Sequence, residues 1–239
     1  MIKNNLNFLK NIQKKNLDSK SIKKFTKLFP KIFSKVFSDV NSSKKTLNIL
    51  NKKFNFNFEF KDLEKFKSFK TIAIIGMGGS ILGSEAVSHF LKEKINKKIY
   101  FFNDLNIKKI QNFKKKKNLN KVLFFVISKS GNTVETLSNF FTIKIKKKNS
   151  KNIIIISEKK NNLLYSLSKK FNLFYIEHKN YIGGRYSVLS EVGIVPAYLM
   201  GININKLRSG SLKSLKKNTQ LFLRESTIKL SSLLSFKKI

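Results

Sequence analysis

Five short apolar runs, each followed by a turn or helical pattern, constrain this chain more than any other feature. They are Thr71-Ile-Ala-Ile-Ile75, Ile99-Tyr-Phe-Phe102, Val122 to Ile127, Asn152 to Ile156, and Leu173 to Ile176. None alternates with polar residues, so each is expected to be buried on both faces. The stretches between them, about 82–93, 106–116, 133–147 and 160–170, read as helices. Strands alternating with helices predict an α/β fold, a doubly wound five-stranded parallel sheet covered on both sides. In a sheet of flavodoxin-like order 2-1-3-4-5, the first and third strands are neighbours, and ligands bind at their carboxyl ends. Both of those strands end in polar, glycine-bearing loops.

The flanks are helical. Residues 1–65 carry apolar side chains at helical spacing, as in Ile22, Phe25, Phe29, Ile32, Phe33, Val36 and Phe37, and predict two or three helices broken near Pro30. Such a basic amphipathic helix suits a membrane surface or, more commonly, packing against a neighbouring domain. Ser187 to about Gly201 reads as a helix kinked at Pro196, and 205–236 as one or two leucine-rich amphipathic helices facing a further domain. The expected division is 1–65 helical segment, 66–201 binding domain, and 202–239 helical connection.

Composition removes several chemistries. The 239 residues contain no cysteine, so disulfides, thiolate catalysis and Cys-based zinc sites are excluded. Only His89 and His178 could supply imidazole, which argues against a His-rich metal centre, and no cofactor is expected. His89 reads as a packed or surface histidine. The net charge of +37 invites a nucleic-acid reading. The lysines are spread along the whole chain beside abundant Asn, Ile and Phe, however, so coding bias accounts for them. Runs such as Lys114–Lys117 and Lys146–Lys148 read as solvated helix ends. No segment approaches the about 18 apolar residues of a membrane span, and the N-terminus lacks a signal peptide, so a cytoplasmic location is expected.

Two loops carry the polar chemistry. Gly76-Met-Gly-Gly-Ser80 follows the first strand and opens a helix, an arrangement that lets backbone N–H groups approach an anion. A dinucleotide site competes for this loop. Its ribose-binding acid would be Asp104, which more readily caps a helix starting near Leu105. Ser128-Lys-Ser-Gly-Asn-Thr133 follows the third strand and gathers hydroxyls and an ammonium at one helix start. A plain N-cap needs one such residue, whereas a phosphate wants several donors. A third segment, Tyr181-Ile-Gly-Gly-Arg-Tyr-Ser-Val-Leu-Ser190, sets an arginine between a glycine pair and a helix start. Glu191 falls one turn further on, where solvent exposure is expected.

The first two loops together resemble the sugar isomerase (SIS) domain of phosphosugar isomerases and sugar-phosphate sensors. Gly-Gly-Arg-Tyr-Ser narrows the resemblance to the glucose-6-phosphate isomerases, over about Thr71 to Gly201. It implies interconversion of glucose 6-phosphate and fructose 6-phosphate, in glycolysis and gluconeogenesis, by a homodimer without nucleic-acid or membrane partners. It also implies that Gly79, Ser80, Ser128, Lys129, Ser130 and Thr133 hold the substrate phosphate. Arg185 would be catalytic, stabilising the enediolate. Glu135 matches a position beside the phosphate loop. The family's base glutamate, its histidine and its C-terminal lysine have no match in the 239 residues, so the chain by itself is expected to bind sugar phosphate without turnover. A non-catalytic sensing module is the alternative, although no recognition-helix pattern stands out in 1–65.

Overall fold

The computed structural model describes residues 17–143, 151–211 and 217–236. Five parallel strands, β1 (Thr71–Gly76), β2 (Lys98–Phe102), β3 (Val122–Ile127), β4 (Ile153–Ser157) and β5 (Phe174–Glu177), form one sheet of order β2-β1-β3-β4-β5. The expected order is therefore the observed one. β1 pairs in register with β3 from Thr71↔Val122 to Gly76↔Ile127, which brings their two terminal loops side by side.

Successive strand residues point to opposite faces, and the core divides accordingly. Ile72, Ile74, Leu123, Phe125, Ile127, Ile154 and Ile156 pack on one side. The helices there are α3 (Leu82–Phe90) and α7 (Glu191–Leu199). Ala73, Ile75, Phe124, Val126, Ile153 and Ile155 face the other side. They meet α4 (Ile107–Lys116), α5 (Val134–Ile143) and α6 (Leu163–Lys170). Every residue of β3 is buried, as its central place requires.

The flanks differ from expectation in several places. A single helix, α1 (Ser19–Asn41), runs through Pro30. Pro30 removes one backbone donor, but α1 lies on the surface, where the freed carbonyl can meet water. Phe29 stacks on Phe33 with centroids 5.4 Å apart, and Phe33 meets Phe37 edge to face at 5.0 Å. α1 packs along α9 (Lys217–Phe236); Ile22, Phe25, Phe29, Phe33 and Val36 are half-buried, whereas Ile32 and Phe37 stay exposed. Short α2 (Phe60–Leu63) leads into the sheet, and α8 (Ile204–Ser209) follows α7.

Other boundaries also move. The cap of α4 is Asn106, whose side chain accepts from Lys109 N at 3.0 Å, and not Asp104, which pairs with the Lys109 ammonium instead. The helix expected from Ser187 is two pieces: a 3-10 turn over Gly184–Leu189, then α7, capped by Ser190. The part of the third helix beyond Ile143 and the run Lys146–Lys148 lie outside the described residues. No helix among the described residues is long and apolar enough to cross a membrane.

Candidate sugar-phosphate site

The loops after β1 and β3 and the Gly-Gly-Arg turn meet at the carboxyl edge of the sheet. The first contact is backbone to backbone. A Cβ built on Gly79 would lie 2.3 Å from the carbonyl carbon and oxygen of Gly184 and 2.8 Å from Arg185 N. Only a residue without a side chain allows this approach. Ser187, 1% exposed, seals it: its hydroxyl faces Gly79 O at 3.1 Å and Gly184 O at 2.7 Å. Arg185 is thereby held beside the first loop. Its side chain is exposed and makes no ion pair among the described residues.

The second loop is built around hydroxyls. Ser128 Oγ lies 2.8 Å from Thr133 Oγ1 and 3.4 Å from Ser130 Oγ, and Ser130 Oγ lies 3.3 Å from Thr133 Oγ1. Ser128 is buried and also accepts from Gly131 N at 3.2 Å, so it braces the turn from beneath. Ser130 is exposed and Thr133 partly so, at the start of α5. A first helical turn has N–H groups without helical partners and a partial positive charge. Lys129 turns to the third segment: its ammonium donates to Asn180 O at 2.7 Å and lies 3.6 Å from Glu158 Oε1. Ser80, in the first loop, is partly exposed. The sequence-predicted residues are thus brought to one edge, with the Lys129 charge tying the second loop to the third.

Sequence reasoning missed Ser187 as the seal and Asn162 as a support, described below. It also misplaced Glu191. This carboxyl is 0% exposed, not solvated. Because α7 starts at Ser190 and not at Ser187, Glu191 turns inward, where Oε1 accepts from Asn57 N at 3.1 Å. Its other oxygen has no hydrogen-bond partner among the described residues. Burial raises its pKa above the ordinary 4.5, outweighing the Asn57 hydrogen bond and the Lys179 charge. His178, also buried, is shifted the other way: burial lowers its pKa below 6.5. His89 lies on the surface and stacks against Phe101.

These two shifts predict opposite pH slopes. The folded chain holds the Glu191 proton more tightly than the unfolded chain, so this group's stability is present below about pH 4.5 and is lost as pH rises through the folded value. His178 contributes stability above its ordinary 6.5, lost as pH falls. Glu191→Gln removes the first term. Its thermal midpoint relative to the native chain should therefore climb steadily with pH. A difference that stays flat or falls would contradict the burial of an ionisable Glu191.

The phosphoglucose isomerase family model matches residues 32–222. The chain belongs to the phosphoglucose isomerase family. It is 38% identical over 201 residues to the probable glucose-6-phosphate isomerase of Methanococcus maripaludis, covering 74% of this chain and 45% of that protein. It is 35% identical over 156 residues to the glucose-6-phosphate isomerase of Methanocaldococcus jannaschii, covering 63% and 39%. The chain therefore spans less than half the length of these relatives. Among solved structures, a hypothetical protein from Thermus thermophilus matches with a TM-score of 0.68 at 18% identity, over 91% of this chain and 54% of that one. A glucose-6-phosphate isomerase from Chlamydia trachomatis matches with a TM-score of 0.60 at 17% identity, over 92% and 49%. Both share the fold of this family member.

Proposed function

We propose that this chain carries the phosphate-binding and enediolate-stabilising part of a cytoplasmic, homodimeric glucose-6-phosphate isomerase. The observation that carries the reading is the closure of Gly79 onto Gly184 under Ser187, which sets Arg185 beside two anion-type loops. Gly79 and Ser80 would approach the phosphate from one strand, and Ser130, Thr133 and the start of α5 from the next. Ser128 would brace the second loop, and Lys129 would add positive charge. Residues 66–201 form the binding domain in this reading, with 1–65 and 202–239 as its helical flanks.

Moving a carbonyl between C1 and C2 of an open-chain sugar phosphate passes through an enediolate. The Arg185 guanidinium, charged at every physiological pH, stabilises that developing negative charge. A carboxylate must carry the proton between the two carbons. The turns 77–81, 128–133 and 183–189 contain no acid, and Glu191 is buried under Asn57. The isolated chain is therefore expected to bind without isomerising.

The test is calorimetric titration of the 239-residue protein with fructose 6-phosphate, inorganic phosphate and a phosphorylated aldonic acid, whose carboxylate resembles the enediolate. Arg185→Met should weaken the aldonic acid about 10- to 100-fold, the loss of a charged hydrogen bond, and leave inorganic phosphate unchanged. Equal losses for both ligands, or no phosphate binding by the native chain, would sink the reading. Steady-state isomerase activity from the pure chain would refute its expected lack of turnover.

A further inference from the structure

α5 starts at the second loop and α6, which follows β4, starts beside it, and their N-termini are used differently. α6 directs its first N–H groups into the loop itself. Leu163 N donates to Asn132 Oδ1 at 2.8 Å, and Leu164 N donates to Gly131 O at 3.1 Å. Tyr165 N donates to the cap residue, Asn162 Oδ1, at 2.9 Å. These orphan donors are thus satisfied within the protein. They are not available to an anion, which leaves the start of α5 as the helix terminus that can meet one.

Asn162 lies at the centre of this arrangement. It is 4% exposed, and its amide nitrogen donates to Glu158 O at 2.8 Å and Lys160 O at 3.2 Å. With Tyr165 N on the other side, the carboxamide is fixed in one orientation. Gly131 rests directly on it, in the left-handed region at φ 72°. A Cβ at 131 would lie 1.9 Å from Asn162 Oδ1 and 2.2 Å from its amide carbon. Gly131 in turn hangs from Ser128 by N–H bonds to its O at 3.1 Å and Oγ at 3.2 Å. The turn that sets the Ser128, Ser130 and Thr133 hydroxyls is therefore moulded on the Asn162 side chain.

We infer that Asn162 is a positioning residue for the phosphate loop: its carboxamide is the platform that holds Gly131 left-handed and aims the Ser130 and Thr133 hydroxyls at a phosphate group. The inference rests on the reading of that loop as the substrate-phosphate site and adds a residue to it. The platform also makes the loop sensitive to charge from below. Asn162→Asp keeps the shape and is an equally good helix cap. It removes both donors to Glu158 O and Lys160 O, and it places a carboxylate under the anion.

The experiment titrates the 239-residue chain, Asn162→Asp and Asn162→Ser with sulfate, a phosphate-like dianion whose charge is constant between about pH 4 and pH 7. Thermal melts of each protein run alongside. Both variants retain an N-capping oxygen but leave the Glu158 and Lys160 carbonyls without their donor, so the midpoints should fall by a few degrees while both proteins still fold. Sulfate affinity at pH 7 should fall tenfold or more in both. Lowering the pH towards 4 should recover affinity in Asn162→Asp relative to the native chain, as the new carboxylate protonates, and should not do so in Asn162→Ser. A residue that merely stabilised α6 would shift the melts and leave this pH signature absent. Should Asn162→Ser fail to fold, the Asp variant alone carries the test through that signature. Native binding with unchanged affinity in the variants would overturn the platform and leave the phosphate site standing. A native chain that binds neither sulfate nor inorganic phosphate would overturn both.

Discussion

Gly79→Ala should abolish measurable sugar-phosphate binding by this chain and lower its stability by about 2–4 kcal/mol. The added methyl would stand 2.3 Å from the Gly184 carbonyl and 2.8 Å from Arg185 N. These neighbours are backbone atoms, which cannot rotate away as a side chain could. Overpacking of this kind costs about 1–3 kcal/mol. Separation of the two loops also breaks the Ser187 hydroxyl contact to Gly79 O at 3.1 Å, worth about 1 kcal/mol more. The functional loss should be larger than the loss of stability implies, because the displaced atoms include the backbone of Arg185. Gly184→Ala provides the contrast. Among the described residues a Cβ there would meet only Gly79 Cα, at 3.8 Å, an ordinary contact. That variant should fold and bind phosphate as the native chain does. Titration with inorganic phosphate and fructose 6-phosphate, beside denaturant melts of both variants, separates the outcomes. Native-like binding by Gly79→Ala, or equal damage from Gly184→Ala, would mean that the two loops are not closed on each other as described.

The same contact shows where sequence reading works and where it stops. The strands are legible because burial on both faces leaves unbroken apolar runs, and the parallel order follows from the helices between them. The glycine loops are legible because each directly follows such a run. What lies at the far end of a long-range contact is not. Glu191 reads as exposed when the helix is started at Ser187. Its inward turn depends on the cap at Ser190 and on Asn57 N, which lies 134 residues away along the chain. Lys129 reads as a phosphate ligand, but its ammonium also has the carbonyl of Asn180, 51 residues on, within reach. Pro30 reads as a helix break by its local rule. The rule yields because α1 is a surface helix with α9 packed along it, and no local pattern announces that partner. Asn162 could have been suspected, since it stands immediately before an apolar helical pattern. Its role under Gly131 comes from the crossing of two loops, which only coordinates reveal.

Arg208→Ala should be the most damaging single change outside the loops, lowering stability by about 3–5 kcal/mol. Arg208 has no carboxylate partner among the described residues. Its guanidinium instead donates to three carbonyls: Leu189 O at 2.7 Å, Ile49 O at 3.0 Å and Asn51 O at 2.8 Å. Ile49 and Asn51 precede Arg208 by 159 and 157 residues and Leu189 by 19, so the side chain fastens the N-terminal flank and the end of the Gly-Gly-Arg turn to α8. The planar group also lies over Phe56 at 5.0 Å and Phe54 at 5.6 Å. Each charged hydrogen bond contributes about 1.5–3 kcal/mol, discounted here because the site is only partly buried. Truncation leaves three carbonyls without donors and removes the guanidinium from two aromatic rings. For a chain of this size the loss corresponds to a drop in thermal midpoint on the order of 10 °C. Arg208→Lys should recover only part of it, because one ammonium on a flexible stem cannot span three fixed acceptors as a fork does. Amide hydrogen exchange should show the 3-10 turn ending at Leu189 opening in Arg208→Ala while the central strand β3 stays protected. The position of Arg185 depends on that turn, so phosphate affinity should hold while selectivity for the aldonic acid fades. A midpoint within about 2 °C of the native chain would show that water replaces the guanidinium at all three carbonyls, and that Arg208 does not fasten the flank.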